Sequence, residues 1–245
     1  MMKLYKSQMM ILISKKDMYI LLSSLLIFLV FLLFSSKYYM DYNYQVVYRE
    51  ELFLEYLIDS VAFMKFTTVI YGIYLSILAR KLHHLDGLFL SRSNRSKIII
   101  TRLLVLINCS FVIVSILFVL FLVIGNYLTP IMREYDYLQL FLSMQLFGVF
   151  YLLLSYLAML SIKLAYAPIF VLFLYFVGTI FSPYYIEVED TTVLEKIISY
   201  LTSDLIVFSN DVIAPYFGNI HVLTLISVLI CSIIFLFIRR DIITL

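Results

Sequence analysis

The sequence predicts an all-α membrane protein with six transmembrane helices, and three observations carry that reading. First, 64% of the 245 residues are hydrophobic and only 14% are charged, with a mean hydropathy of +1.03. A soluble domain of this size carries about a quarter charged residues. Second, several unbroken apolar runs reach the roughly 20 residues that a helix needs to cross about 30 Å of hydrocarbon. Strands of a membrane barrel would instead alternate apolar and polar residues over segments of about 10. Third, the basic residues are sorted into alternate loops, as the two sides of a membrane require.

The apolar windows place spans at 18–36, 57–79, 98–124, 138–162, 166–182 and 218–238, in one transmembrane domain covering residues 1–245. Lysines precede the first span, but its apolar run of 19 residues is too long for a signal-peptide core and no A-x-A-like site follows, so it reads as an uncleaved span. One set of loops and span ends holds Lys3, Lys6, Lys15, Lys16, Arg80, Lys81, Arg92, Arg95, Lys97, Arg102, Lys163, Arg239 and Arg240, which is 13 of the 18 basic residues. The other set has Lys37, Arg49, Arg133 and Lys196 against twelve loop acids from Asp41 to Asp211, with Asp59 set apart inside span two. Both termini and the 80–97 loop are therefore expected in the cytoplasm, with the chain multi-pass in the cell membrane. Tryptophan is absent, and Tyr38, Tyr39, Tyr42, Tyr44 and Tyr48, with Tyr184 and Tyr185, take the interfacial aromatic role on the outer side.

The connections are informative in turn. Residues 1–16 carry four lysines around "MMILI" and read as a short helix lying at the inner interface. In the 80–97 loop, Leu78, Leu82, Leu85 and Phe89 recur at helical spacing, with Arg80, His83, His84 and Gly87 on the other side. That pattern predicts a short amphipathic helix joined to the cytoplasmic end of span two. "SRSNRS" then turns, and Asn94 or Ser96 can cap span three. Span three is long enough that Arg102 in its first turn is expected at or beyond the inner headgroups. "KLAYAP" makes a tight cytoplasmic hairpin between spans four and five, with Pro168 in the first turn of the next helix. The outer segment 183–217 contains Thr192-x-x-Glu195, a capping box before "VLEKIISYL". It is apolar enough to dip into the outer leaflet as re-entrant helices.

The chemistry of soluble enzymes is missing. The six glycines form neither a P-loop nor a dinucleotide fingerprint, and neither H-E-x-x-H nor G-x-S-x-G occurs. Glu50 and Glu51 sit in the outer loop with no histidine on a nearby span and read as a solvated helix start. Cys109 and Cys231 lie in apolar runs and imply no disulfide framework. His83 and His84 project about 100° apart on a helix and cannot face one ion together, so no catalytic or metal residue is assigned. Lys65 is the unusual residue: near the middle of span two its charge costs about 2.5–3.5 kcal/mol on insertion scales. It marks a possible substrate path, with Asp59, Asn108 and Gln145 as candidate companions. The competing reading is an interhelical pair that only fixes packing.

The segment "LDGLFLSRSNRSKIIITRLL", residues 85–104, resembles the permease subunits of ABC-2-type exporters. Asp86, "LFLS" at 88–91, Arg95 and Arg102 fit that family's pattern; the proline of its turn and the Gly-Thr before the acid are missing. The closing "FLFIRRDI" at 235–242 is also similar. The resemblance implies an ABC-2 (type V exporter-like) fold with an N-terminal interfacial helix, a cytoplasmic coupling helix and outer re-entrant helices. It further implies pairing with a second permease copy or paralogue and with an ABC ATPase subunit, which would carry ATP and Mg. By that resemblance Leu82, His83, His84, Leu85, Asp86, Gly87, Leu88 and Phe89 dock in the ATPase cleft. Arg92, Arg95, Lys97 and Arg102 would touch the ATPase surface or lipid headgroups. The small size and the Tyr/Ile/Lys-rich composition look like Gram-positive peptide exporters, most narrowly those of staphylococcal phenol-soluble modulins. Lantibiotic self-immunity permeases come second, and a non-transporting membrane sensor or immunity protein is the alternative outside transport.

Overall fold

The structure is a computed structural model. It describes residues 49–86, 95–128, 137–186, 207–208, 213–214 and 219–243, together with 19, 23, 25–31 and 33–34. Five helices follow one another: α1 (Arg49–Asp86), α2 (Arg95–Leu128), α3 (Tyr137–Ser161), α4 (Ala167–Ile186) and α5 (Asn219–Ile243). Residues 25–31 are helical as well. Three stretches are long and apolar enough to cross a membrane, Ser60–Arg80, Lys97–Ile124 and Leu140–Ser161; Ala167–Val177 and Ile226–Phe237 are shorter apolar stretches. The fold is thus all-helical and of membrane type.

Helix α3 is the centre on which α1, α2, α4 and α5 all pack. Its approach to α1 is close because both helices place glycine at the contact. A Cβ on Gly72 would stand 3.2 Å from the Cα and N of Leu152, and one on Gly148 would stand 3.2 Å from Thr68 Cγ2 and 2.9 Å from Val114 Cγ2. Ser76 Oγ donates to the Leu152 carbonyl at 3.3 Å, and Arg80 Nη1 donates to the Ile162 carbonyl at 3.1 Å. As positions advance along α1 from 68 to 80, their partners advance along α3 from 148 to 162, so the two helices run parallel. Along α2 the order reverses: Gly148 meets Ser110 and Val114, whereas Tyr156 lies by Arg102. Three successive crossings of a membrane produce this alternation.

Small residues at four-residue spacing, Thr68, Gly72 and Ser76, let the backbones approach where lipid offers no hydrophobic drive to association. Their hydroxyls are consumed locally. Thr68 donates to Met64 O, Ser76 to Gly72 O and Ser155 to Tyr151 O, each across one helical turn at 2.6–2.8 Å. A hydroxyl satisfied by its own helix can be buried without a partner across the interface. Aromatic rings lock the periphery. Phe31 stacks on Phe63 with centroids 3.9 Å apart, and Tyr175 of α4 meets Phe147 and Tyr151 of α3 edge-on.

The α3–α4 connection is as tight as "KLAYAP" implies. Ile162 to Tyr166 close it, with Tyr166 N donating to Lys163 O at 3.0 Å and Ala167 N to the same carbonyl at 3.2 Å. Pro168 is the second residue of α4, where its missing N–H is one the helix start would leave unused anyway. Ser96 falls inside α2, and Asn94 lies outside the described residues.

Three expectations need adjusting. The amphipathic segment after span two is not a separate helix as far as Asp86: α1 runs unbroken through it, since nothing between Arg80 and Asp86 is a helix breaker. Span five's helix continues four residues beyond 182, to Ile186. In the segment expected to form re-entrant helices, the described residues are extended and paired antiparallel: Val207 opposite Ala214 and Phe208 opposite Ile213. Val207 and Ile213 are β-branched, and Ser209-Asn210-Asp211 between them is turn-forming composition. The N-terminal segment 1–16, the tyrosines at 38–48 and the capping box at 192–195 lie outside the described residues.

Gly72→Val is expected to cost about 1–3 kcal/mol by forcing a side chain against the Leu152 backbone. Gly148→Val should cost a similar amount against Val114 and Thr68. Equilibrium unfolding in mixed micelles measures both, and wild-type stability for either would contradict the helix register described above.

Candidate functional site

Where α1, α2 and α3 meet, Gly148 is packed closely against Thr68, Ser110 and Val114. Just outward of it the junction turns polar. Gln145 Nε2 donates to Ser115 Oγ at 3.1 Å and to the Phe111 carbonyl at 3.3 Å, while Ser115 itself donates to that carbonyl at 2.8 Å. Gln145 Oε1 is buried, with no hydrogen-bond partner among the described residues. Lys65 precedes Thr68 by three residues, as Gln145 precedes Gly148, so the parallel register sets Lys65 and Gln145 at one level. Both are buried, Lys65 at 4% exposure and Gln145 at 7%. Lys65 interacts within the protein, so its ammonium is held inside the bundle at this depth. A buried amide with an open acceptor can take a donor from a ligand or from ordered water.

The four residues named for a substrate path therefore divide. Lys65 and Gln145 are both buried at one level of the α1–α3 pair, with Gln145 turned to Ser115 and Phe111 of α2. Asn108 is apart from them, because it lies on the exposed side of α2. Asp59 is helical and six residues, about 9 Å, outward of Lys65; its side chain is outside the described residues.

Arg102 is the principal correction. Expected at the headgroups or on a partner's surface, it is fully buried, with 0% exposure. The reason is the reach of α2. The helix begins at Arg95, so about two turns precede Arg102, and the residue shares a face with Ile99, Leu106, Cys109 and Ile113, all buried. Tyr156 of α3, also at 0%, lies opposite. Its hydroxyl completes no geometric hydrogen bond among the described residues, yet it interacts electrostatically with the Arg102 guanidinium. The 99/102/106/109/113 spacing was visible in the sequence; counting arginines as loop markers concealed it.

Arg80 also has a role that loop counting missed. Its guanidinium caps the last turn of α3 through the Ile162 carbonyl, where a helix end leaves unpaired carbonyls and a negative dipole end. Beyond Arg80, Leu82, His83, His84, Leu85 and Asp86 are helical, as is Arg95, with side chains outside the description. Lys97 is exposed. Gly87, Leu88, Phe89 and Arg92 lie outside the described residues. No protein-family model, curated protein or solved structure matches this chain.

Two apolar replacements test how Arg102 is held. A buried charge costs more to desolvate than an apolar isostere, and removing both partners avoids leaving one stranded. Arg102→Met combined with Tyr156→Phe should leave unfolding free energy within about 1 kcal/mol of wild type, or raise it. Arg102→Ala, which leaves a cavity, should cost about 2–5 kcal/mol. Loss of fold in the double variant alone would show that the charge itself is structural.

Proposed function

We propose that this chain is the membrane-spanning permease subunit of an ATP-driven ABC-2-type exporter in the cell membrane, moving an amphipathic peptide outward. The observation that carries the reading is the inner end of the α1–α2 pair. Helix α1 has 38 residues and α2 has 34, about 57 and 51 Å at 1.5 Å per residue, against about 30 Å of hydrocarbon. At the end marked by Arg80, α1 continues six residues past its apolar stretch, to Asp86, and α2 begins two residues before its own, at Arg95, with eight residues between them. A helix end with an apolar stripe and basic flanks suits docking into a cytoplasmic protein. It also stands where the resemblance puts a coupling helix.

In this reading the six-span topology has both termini inside, and the second permease and the ATPases are separate chains. ATP and Mg bind on the ATPase, which accounts for the lack of a nucleotide loop here. Movement of the docked helix end passes directly into α1, because no break separates it from the span. Arg80 then ties the same point to the α3–α4 turn. Lys65 and Gln145 lie on the path of that movement and are the residues proposed to meet substrate.

Two experiments test this. Leu85→Glu or Phe89→Glu should abolish co-purification with a P-loop ATPase from the same cells, without lowering membrane levels of the permease. An intact complex in both variants would overturn the docking assignment. Lys65→Met should reduce peptide export at normal protein level, and unaltered export would remove the lysine from the substrate path.

A further inference from the structure

We propose that the α3–α4 turn is the seat of an anionic phospholipid, its phosphate held by Lys163 and Arg80 beside Tyr166 and an acyl chain lying along the exposed face of α4. The inference needs only that α3 and α4 stand in a membrane; it does not depend on the transport reading. Depth is the first observation. The apolar stretch of α3 ends at Ser161 and that of α4 begins at Ala167, while that of α1 ends at Arg80. Arg80 reaches the Ile162 carbonyl, so the three boundaries fall at one level. Residues 162–166 therefore stand where hydrocarbon gives way to headgroups. Lys163, Leu164 and Tyr166 are exposed there, and a tyrosine suits that level, its ring on the apolar side and its hydroxyl among headgroups.

Charge says what the turn calls for. Arg80 Nη1 is fixed on the Ile162 carbonyl at 3.1 Å, one residue from Lys163, so two cations meet at the end of α3. Helices α2, α3 and α4 contain no acidic residue, and Lys163 makes no ion pair among the described residues. On α1 the first acid past Arg80 is Asp86, about 9 Å further out. Two like charges at one point repel unless an anion lies between them. A headgroup phosphate is such an anion, with acceptor oxygens for an ammonium and a guanidinium at once.

The face beyond the turn fits the rest of such a molecule. Tyr166, Ile169, Phe170, Phe173 and Phe176 are all exposed, and their helical spacing sets them in one narrow stripe along α4. The stripe runs from the cationic turn into the hydrocarbon, as an acyl chain does from its headgroup. Apolar side chains alone would accept any lipid. The cations at the head of the stripe choose among lipids, each basic side chain near the surface favouring an anionic one about fivefold.

The chain has no tryptophan, so Phe173→Trp supplies a single fluorescent reporter on the stripe. The full-length variant is reconstituted in vesicles of phosphatidylcholine and phosphatidylglycerol, with bromine on the acyl chains of one lipid or the other. Quenching then measures which lipid lies against the stripe. Phosphatidylglycerol should be preferred at least about fivefold. Adding Lys163→Gln should lower that preference at least about threefold, and Lys163→Arg should keep it. Lys163 is exposed, so neither change threatens the fold. Leu104→Trp is a second reporter on an exposed position of α2, seven residues into its apolar stretch as Phe173 is six into that of α4. Lys163→Gln should leave the lipid preference at that reporter unchanged. Equal quenching by the two lipids at Phe173→Trp would overturn the proposal. So would a preference that Lys163→Gln lowers by less than threefold, or lowers equally at both reporters, which would mark a general effect of surface charge.

Discussion

The structure depends on the close approach of α1 and α3 at Gly72 and Gly148. In water two apolar helices are driven together by leaving solvent; in lipid that drive vanishes, and contact is won by fit. Two hydrogen-only side chains, with Thr68 and Ser76 beside them, bring the backbones near enough for Ser76 Oγ to reach the Leu152 carbonyl. Helix α2 then settles into the groove, where Ser110 and Val114 meet Gly148.

The polar residues fall into two groups with different physical logic. Thr67, Thr68, Ser76, Thr101, Ser115 and Ser155 each return a hydroxyl to a carbonyl four residues earlier, so burial costs them little. Lys65, Arg102 and Gln145 cannot do so, and they are the buried side chains whose retention wants a reason beyond packing. Arg102 and Tyr156 face each other toward the Arg80 end of the bundle. Lys65 and Gln145 share a level nearer its other end, with an amide oxygen still open among the described residues. An apolar core would hold three helices together without either pair, which is why they bear on function.

The sequence made some of this legible and concealed the rest for identifiable reasons. Continuous apolar runs located α2 and α3 to within a few residues, and the "KLAYAP" hairpin was readable from its brevity and Pro168. Helix faces were harder. A helix apolar all round carries no amphipathic signal, so nothing marked Asn108 as outward and Gln145 as inward, and the two were grouped as companions of Lys65. Arg80 and Arg102 were read as loop charges because the positive-inside pattern treats every basic residue as a topology marker; one proved a helix cap and the other fully buried. The glycines were weighed as phosphate-binding loops, whereas their value lay in the four-residue spacing of Thr68, Gly72 and Ser76. The pairing at 207–214 escaped because its strands are only two residues each.

The most direct test of this account is disulfide cross-linking across the parallel α1–α3 contact, since the levels of Lys65, Gln145 and Arg80 all follow from that register. In a Cys231→Ser background, Thr68→Cys with Gly148→Cys should cross-link within one chain in native membranes. Thr68→Cys with Tyr156→Cys, about 12 Å further along α3, should not. The reverse outcome would contradict the register, and with it the assembly of the polar junction.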